Sequence, residues 1–328
     1  MLIGMSDTQS EKKVARRELR AKPFSKSDRI FYNVSTAAAN SSIVLVTLIL
    51  IFLAWRSWPA FQSQGIGYIF GSTWDNNPDK MVMQIGPMLW GSIQISLLGV
   101  ILAVPMAISI AYFIVFMANK KIASGVAISV DLLAALPSVV LGLWGLLVFS
   151  PVAAGWAKLL HDTLGFLPFF ANEDGNFLRS PFIAGWVVAV MIVPIITSVT
   201  REIFSQLDRD VINASIALGA SRSSTFLKVI LPTSSGGIVG GALLGLGRAL
   251  GETVAIFFVL NLSFEINWGE VVESRGGSIA SMIVSFFGAA SPEEVKALIS
   301  AGLVLFIITL LINWLAAWIV AKAQPWRQ

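Results

Sequence analysis

Long apolar runs separated by short polar stretches fill the chain from residue 31 onward. They lie near residues 31–57, 86–116, 122–150, 180–204, 234–262 and 296–321. Each reaches the roughly 20 residues that a helix needs to cross a hydrocarbon core of about 30 Å. The pattern predicts an all-α polytopic membrane protein with six transmembrane helices. It divides the chain into a basic tail (1–29), a transmembrane domain (30–323) that includes a polar loop at 205–232, and a short C-terminus (324–328). Between spans, Val152 to Leu164 reads as an amphipathic piece, followed by the polar turn Asn172-Glu173-Asp174-Gly175-Asn176. Ser278 to Phe287 is apolar but too short to span, which predicts a helix at the interface or dipping back in. Pro105, Pro137 and Pro194 fall inside spans two, three and four, where each frees a backbone carbonyl and permits a kink. Trp58, Trp74, Trp90, Trp156, Trp268 and Trp318 lie near segment ends, the positions of interfacial anchors.

Composition supports the membrane class. The 328 residues are 55% hydrophobic and 13% charged, with a mean hydropathy of +0.77, too little polar surface to cover a soluble domain. The net charge of +4 and pI near 9.4 could belong to a nucleic-acid binder. The placement of the charges argues against one, because eight of the 23 Lys and Arg residues precede residue 30. That tail has no apolar run and so is not a signal peptide; it suits a cytoplasmic segment facing anionic lipid. With the tail, the Asn119-Lys120-Lys121 turn, residues 201–232 and the C-terminus inside, sixteen basic residues are cytoplasmic and six external. This satisfies the positive-inside rule and predicts that both termini are cytoplasmic. There are no cysteines, and the single histidine, His161, excludes multi-histidine metal sites and is expected in a solvated external loop.

Two stretches carry chemistry. In the first, Asn213-Ala214-Ser215-Ile216-Ala217-Leu218-Gly219 is followed ten residues later by Ile230-Leu231-Pro232. Asp208 or Asp210 can cap a short helix that leaves through a left-handed Gly219. A second short helix starts near Ser221 or Ser223 and is expected to stop around Pro232. The pair forms a projecting knob, with Ala214, Ile216, Leu218 and Phe226 available to pack. In the second stretch, glycines at 236, 237, 240, 241, 245, 247 and 251 form overlapping G-x-x-x-G pairs for close helix contact. Arg248 and Glu252 follow, about 40° apart on one face of a continuous helix and continuing a stripe through Gly241, Gly245, Ala255 and Val259. Arg248 sits about 24 Å beyond Pro232, past the midplane. Charges inside a membrane helix are costly and by default functional. A guanidinium fork matches anionic oxygens two at a time, while Glu252 can neutralise it when the path is empty. An ion pair that only joins two helices remains the structural alternative. Asp131, the other ionisable group well inside a predicted span, is expected to be paired or hydrated near the cytoplasmic interface rather than to relay protons.

The knob spacing resembles the coupling motif of ABC-transporter permeases, with Ala214, Gly219, Val229, Leu231 and Pro232 matching. Asn213 stands where that family usually has Glu, and Ser215 where it has a second Ala. Arg248-Ala249-Leu250-Gly251-Glu252-Thr253 is similar to the signature of phosphate-transporter permeases. Ser92 to Ala107 with Pro105, and Leu132 to Leu143 with Pro137-Ser138, resemble the PstC type rather than its PstA-type partner. The resemblance covers about residues 86–321. It implies a type I ABC importer permease fold in a bacterial inner membrane. It also implies a substrate path past Arg248, Glu252, Thr253 and Ser138, and ATPase coupling through Asn213, Ala214, Ser215, Gly219, Leu231 and Pro232. The implied partners are a PstA-like permease, two copies of a PstB-like ATPase and a PstS-like external binding protein.

No G-x-x-x-x-G-K-[ST] occurs and no nucleophile–base pair can be assembled, so the chain is not itself an enzyme and needs no cofactor of its own. The expected function is import of inorganic phosphate driven by a separate ATPase. The alternatives are a permease for sulfate, molybdate or another oxyanion, and a proton-coupled secondary transporter using Arg248, Glu252 and Asp131. The latter has no use for the knob.

Overall fold

In the computed structural model, residues 26–77 and 81–323 are described, with side chains as far as Trp318. The basic tail before Lys26, its expected lipid contact, and the C-terminal 324–328 lie outside the described residues. The chain divides into two units, Met1–Phe52 and Leu53–Gln328. The described part of the first is the N-terminal stretch of helix α1 (Lys26–Gln64), in which every side chain from Lys26 to Ile49 is exposed.

The second unit is organised around α7 (Pro181–Ser205), an apolar helix whose Ile183, Val187, Val188, Ile192 and Ile196 are all buried. Helix α3 (Gly86–Tyr112) lies along it at close range. A Cβ on Gly99 would sit 2.9 Å from Val188, and one on Gly185 would sit 2.6 Å from Leu98. Helix α10 (Leu231–Leu250) also packs against α7, pressing Gly237 towards Ile203, Gly241 towards Val199 and Gly245 towards Ile196. These glycines fulfil the expected close contact, since dispersion between near-touching backbones replaces the hydrophobic effect in lipid. Gly240 faces open space, so its G-x-x-x-G face makes no such contact among the described residues.

Among the described residues, six helices are long and apolar enough to cross a membrane: Lys26–Gln64, Gly86–Met117, Ser138–Leu164, Pro181–Ser205, Arg222–Leu250 and Pro292–Trp318. Two differ materially from the pattern-based spans. The run 122–150 is not one helix: α4 (Lys120–Ala134) ends before Pro137, and a new helix begins at Ser138. That helix continues as α5 (Ser138–Trp144), a π-helical turn (Gly145–Phe149) and α6 (Ser150–Leu164). Pro137 favours extended geometry around itself and becomes the N-cap of α5 instead of a kink. The amphipathic piece from Val152 to Leu164 is therefore the end of a membrane-length helix, and His161 is on that helix, not in a loop. Its Nδ1 lies 2.9 Å from the Phe170 carbonyl oxygen.

The run 234–262 is also broken, because α10 ends at Leu250 and a short α11 (Val254–Val259) follows the turn at Gly251. At its other end α10 begins earlier than expected. Pro232 does not stop the preceding helix: a π-helical turn (Phe226–Ile230) lets the Leu231 amide bond back to Phe226, and the proline sits in the first turn of α10. Pro105 and Pro194 remain inside α3 and α7, as expected.

A second apolar cluster is built from the connections. It joins α2 (Gly67–Phe70), the two-residue antiparallel strands β1 (Trp74–Asp75) and β2 (Val82–Met83), α12 (Ile279–Phe287) and the start of α13 (Pro292–Ala323). The Tyr68 hydroxyl donates to the Ala297 carbonyl at 2.6 Å. Trp74 stacks on Phe264 and on Phe286, so it is a packing residue here and not a free interfacial anchor. The expected helix over 278–287 is present, started by a reciprocal capping box between Ser278 and Ser281.

Candidate coupling knob and substrate path

Two short helices project between α7 and α10. Helix α8 (Arg209–Ala217) is capped by Asp208, whose Oδ1 accepts from the Asp210 amide at 2.8 Å. Helix α9 (Arg222–Thr225) is capped by Ser221, which accepts from the Ser224 amide. They meet at Gly219, with φ +85°, the left-handed exit that the sequence required. Ser215, at the second-Ala position of the motif, lies with its Oγ 3.1 Å from Thr225 Oγ1 and ties the two helices together.

The side chains expected to pack within the knob divide. Phe226 packs inward, its ring 4.5 Å from that of Tyr112, beside buried Ile212, Ile230 and Phe204. Ala214, Ile216 and Leu218 point out, with Leu218 89% exposed. Ile212 is buried, whereas Ile216, one turn further along the same face towards the Gly219 exit, is half exposed. Asn213 is exposed, Leu231 packs at the knob's base, and Pro232 is exposed beside it. Arg209, at the start of α8, lies 5.2 Å above the Phe116 ring, a contact the sequence pattern did not reveal.

The charged pair is arranged differently from a one-face stripe. Arg248 occupies the last turn of α10, where a cation opposes the helix dipole favourably, and its side chain is exposed. Glu252 lies beyond the Gly251 turn and is buried, its Oε1 accepting from the Ala255 amide at 3.2 Å in the first turn of α11. Among the described residues, no ion pair joins Arg248 to Glu252. The helix break separates them, and the buried carboxylate is held by the start of the next helix instead. Thr253 donates its hydroxyl to the Gly251 carbonyl. Gly241 and Gly245 face α7, and Ala255 and Val259 are buried beyond the break, so the predicted stripe does not exist as one face.

Helices α5 and α11 run parallel in close contact. A Cβ on Gly142 would meet the Cα of Ala255 at 2.8 Å, and one on Gly145 would meet Val259 at 2.8 Å. Both helices begin at the same end of this contact, α5 at Ser138 and α11 just after Glu252 and Thr253. Thus Ser138 begins one interrupted helix, Glu252 and Thr253 directly precede another that contacts it, and Arg248 is exposed in the last turn of α10. Gly142 and Gly145 make this approach possible. Their four- and three-residue offsets from Ser138 and Gly142 were the one sequence signal for it. Asp131 lies 4.0 Å from Arg201 and is largely exposed, in keeping with a paired, hydrated group.

On the far side of α11, the loop after it carries a charged cluster. Arg275 contacts Glu273 at 2.9 Å, Glu265 at 3.2 Å and Asp174 at 3.7 Å. Glu273 is almost fully buried, and that burial pushes its carboxyl up to about 7 despite the opposing Arg275 guanidinium.

This arrangement, membrane-length helices around α7 with a two-helix knob between the fourth and fifth, places the chain in the class of ABC importer permeases. A chain of the inward-facing MetNI methionine ABC transporter, in its CY5 native crystal form, shares the fold with a TM-score of 0.52 at 15% identity, over 72% of this chain and 94% of that one. The chain belongs to the family of binding-protein-dependent transport system inner membrane components, which matches residues 99–325. The phosphate transport system permease protein PstC 2 of Mycobacterium tuberculosis is 34% identical over 298 residues, covering 89% of this chain and 91% of that protein. The phosphate transport system permease protein PstC of Haemophilus influenzae is 34% identical over 302 residues, covering 90% and 94%.

Proposed function

We propose that this chain is the membrane-spanning permease subunit of an ATP-driven importer for inorganic phosphate in a bacterial inner membrane. The similarity to PstC permeases along nearly the whole chain carries this reading. A PstA-like permease completes the path, two PstB-like ATPases drive it, and a PstS-like binding protein delivers the anion. The knob and both termini face the cytoplasm, and the loops around 165–180 and 260–292 face outward.

In this mechanism Leu218, Ile216 and Val211, all at least half exposed, form the apolar tip that enters the ATPase surface. Asn213 contributes no charge there, so docking rests on shape and apolar contact. Movement of α8 passes through the Ser215–Thr225 bond and the Phe226–Tyr112 contact into the base of α10. Because α9, the π-helical turn and α10 form one continuous rod, displacement at the knob shifts Arg248 at its far end. Arg248 offers a phosphate two parallel N–H donors, and Ser138 and Thr253 line the same passage. Glu252 holds the α11 start in place instead of neutralising Arg248.

The test is uptake of phosphate into proteoliposomes by the assembled importer. Arg248→Gln abolishes uptake while assembly is unchanged, and Arg248→Lys restores it only in part. Full uptake by Arg248→Gln refutes the assignment of Arg248. Uptake of sulfate or molybdate instead of phosphate by the wild-type complex refutes the substrate.

A further inference from the structure

Arg179 stands out as the one non-glycine residue with positive φ, +53°, among the described residues. A left-handed arginine is uncommon and persists only where its surroundings fix it, and such positions cluster at functional sites. Two hydrogen bonds fix this one against the end of α11: Arg179 Nη2 donates to the Leu260 carbonyl at 3.2 Å, and the Asn261 amide donates to the Arg179 carbonyl at 3.0 Å. The exposed Arg179 lines a cavity of about 160 Å³ together with Phe257, Asn261, Ser281 and Ser285. None of the lining residues is acidic, and Arg179 has no ion pair among the described residues. Only one of its five N–H donors is committed to Leu260, so the fork remains available. The exposed Ser285 hydroxyl, now bonded to the Ser281 carbonyl at 2.8 Å, can turn into the cavity, and the Asn261 amide retains a second N–H beyond the one given to Ser274.

A fixed, uncompensated guanidinium beside hydroxyl and amide donors in a cavity of this size is chemistry for a small oxyanion. We propose that this cavity is an oxyanion-binding station at the end of α11 remote from Glu252, where an incoming anion is held before it reaches the Arg248 level. This rests on the proposed direction of transport, and its expected ligand is inorganic phosphate. Phe257 and Leu260 give the cavity an apolar wall, while the exposed Arg179 keeps it open to an anion arriving from water.

The chain contains no cysteine, so Ser285→Cys introduces its only thiol. In the assembled importer in lipid, a negatively charged sulfonatoethyl methanethiosulfonate and a positively charged trimethylammonioethyl analogue are compared, with labelling read on this chain after the subunits are separated. The anionic reagent is expected to react roughly tenfold faster, and millimolar phosphate to slow it. Arg179→Gly suits the left-handed backbone and keeps the Asn261-to-Arg179 backbone bond while removing the charge and the bond to Leu260, so it should leave assembly intact and abolish both effects. Arg179→Asn, also tolerant of that backbone, serves if the glycine variant assembles poorly, and Arg179→Lys should retain part of the preference. A charge preference that is absent, or that survives loss of Arg179, overturns the station, as does a preference that no oxyanion diminishes. Protection by sulfate and not by phosphate keeps the station and instead overturns the phosphate reading.

Discussion

Gly142→Ala tests whether the contact between α5 and α11 shapes the substrate path. The added methyl would lie 2.8 Å from Ala255 Cα, 3.0 Å from Phe258 Cδ2 and 3.5 Å from Ala255 Cβ. Carbon atoms settle at about 3.5–4.0 Å, so relief requires α11 to move away by roughly 0.7–1.2 Å. The nearest obstacle is backbone, which cannot rotate aside as a side-chain tip can. Overpacking of this kind costs about 1–3 kcal/mol, offset by up to about 1 kcal/mol because alanine is the better helix former. The useful comparison is Gly155→Ala in α6, where nothing lies within 4 Å and only the favourable propensity remains. Gly142→Ala should therefore lower the thermal midpoint of the assembled importer relative to Gly155→Ala. It should also reduce phosphate uptake severalfold at equal amounts of complex, because a shift of about 1 Å in α11 carries with it Glu252, which is bonded to its first turn. Equal stability and equal uptake for the two variants would refute the claim that this contact positions the path.

Further outcomes follow from the knob, the external loop and the charge pattern. At Gly219 nothing lies within 4 Å of an added Cβ, so only the left-handed backbone penalises substitution, by about 1–2 kcal/mol for an ordinary residue and more for a β-branched one. ATP-driven uptake should thus fall in the order Gly219→Asn, Gly219→Ala, Gly219→Val, with ATPase co-purification falling alongside; no difference among the three would dissociate the loop from coupling. For Glu273, the folded carboxyl titrates near 7, above its unfolded value, so its contribution to loop stability is complete below the unfolded value and is lost as pH rises through about 7. Hydrogen-exchange protection of residues 263–276 should accordingly drop between pH 5 and pH 8, and Glu273→Gln should flatten the profile; a wild-type profile already flat would contradict the assignment. For topology, cysteines at Lys120 and Ser221 should label only from the cytoplasm and one at Glu173 only from outside. Glu173 is exposed, whereas the neighbouring Asn172 is buried and bonded to Asn176 and Val272. Labelling of Glu173 and Ser221 from one side would end the six-span topology.

The sequence by itself determined the class of this protein and most of its long helices, because bilayer thickness imposes a minimum apolar length that composition alone reveals. It likewise determined the knob: Asp208, Gly219 and Ser221 act on the backbone within a few residues, and local geometry is legible locally. It also determined the helix at 278–287 and the close glycine face of α10. Tertiary structure decided where apolar runs break. Hydropathy cannot distinguish one helix from two halves joined by a tight turn, so the interruptions at Pro137 and Gly251 were hidden within continuous apolar text. Those breaks overturn the Arg248–Glu252 pairing, which assumed an unbroken 100° step between residues, and bury Glu252 at the start of α11. The close approach of α5 to α11 depends on a register set by contacts of Gly142 and Gly145 with Ala255 and Val259, residues more than 100 positions away. Such a register follows from the shapes of two facing surfaces, and no single segment of the chain contains it.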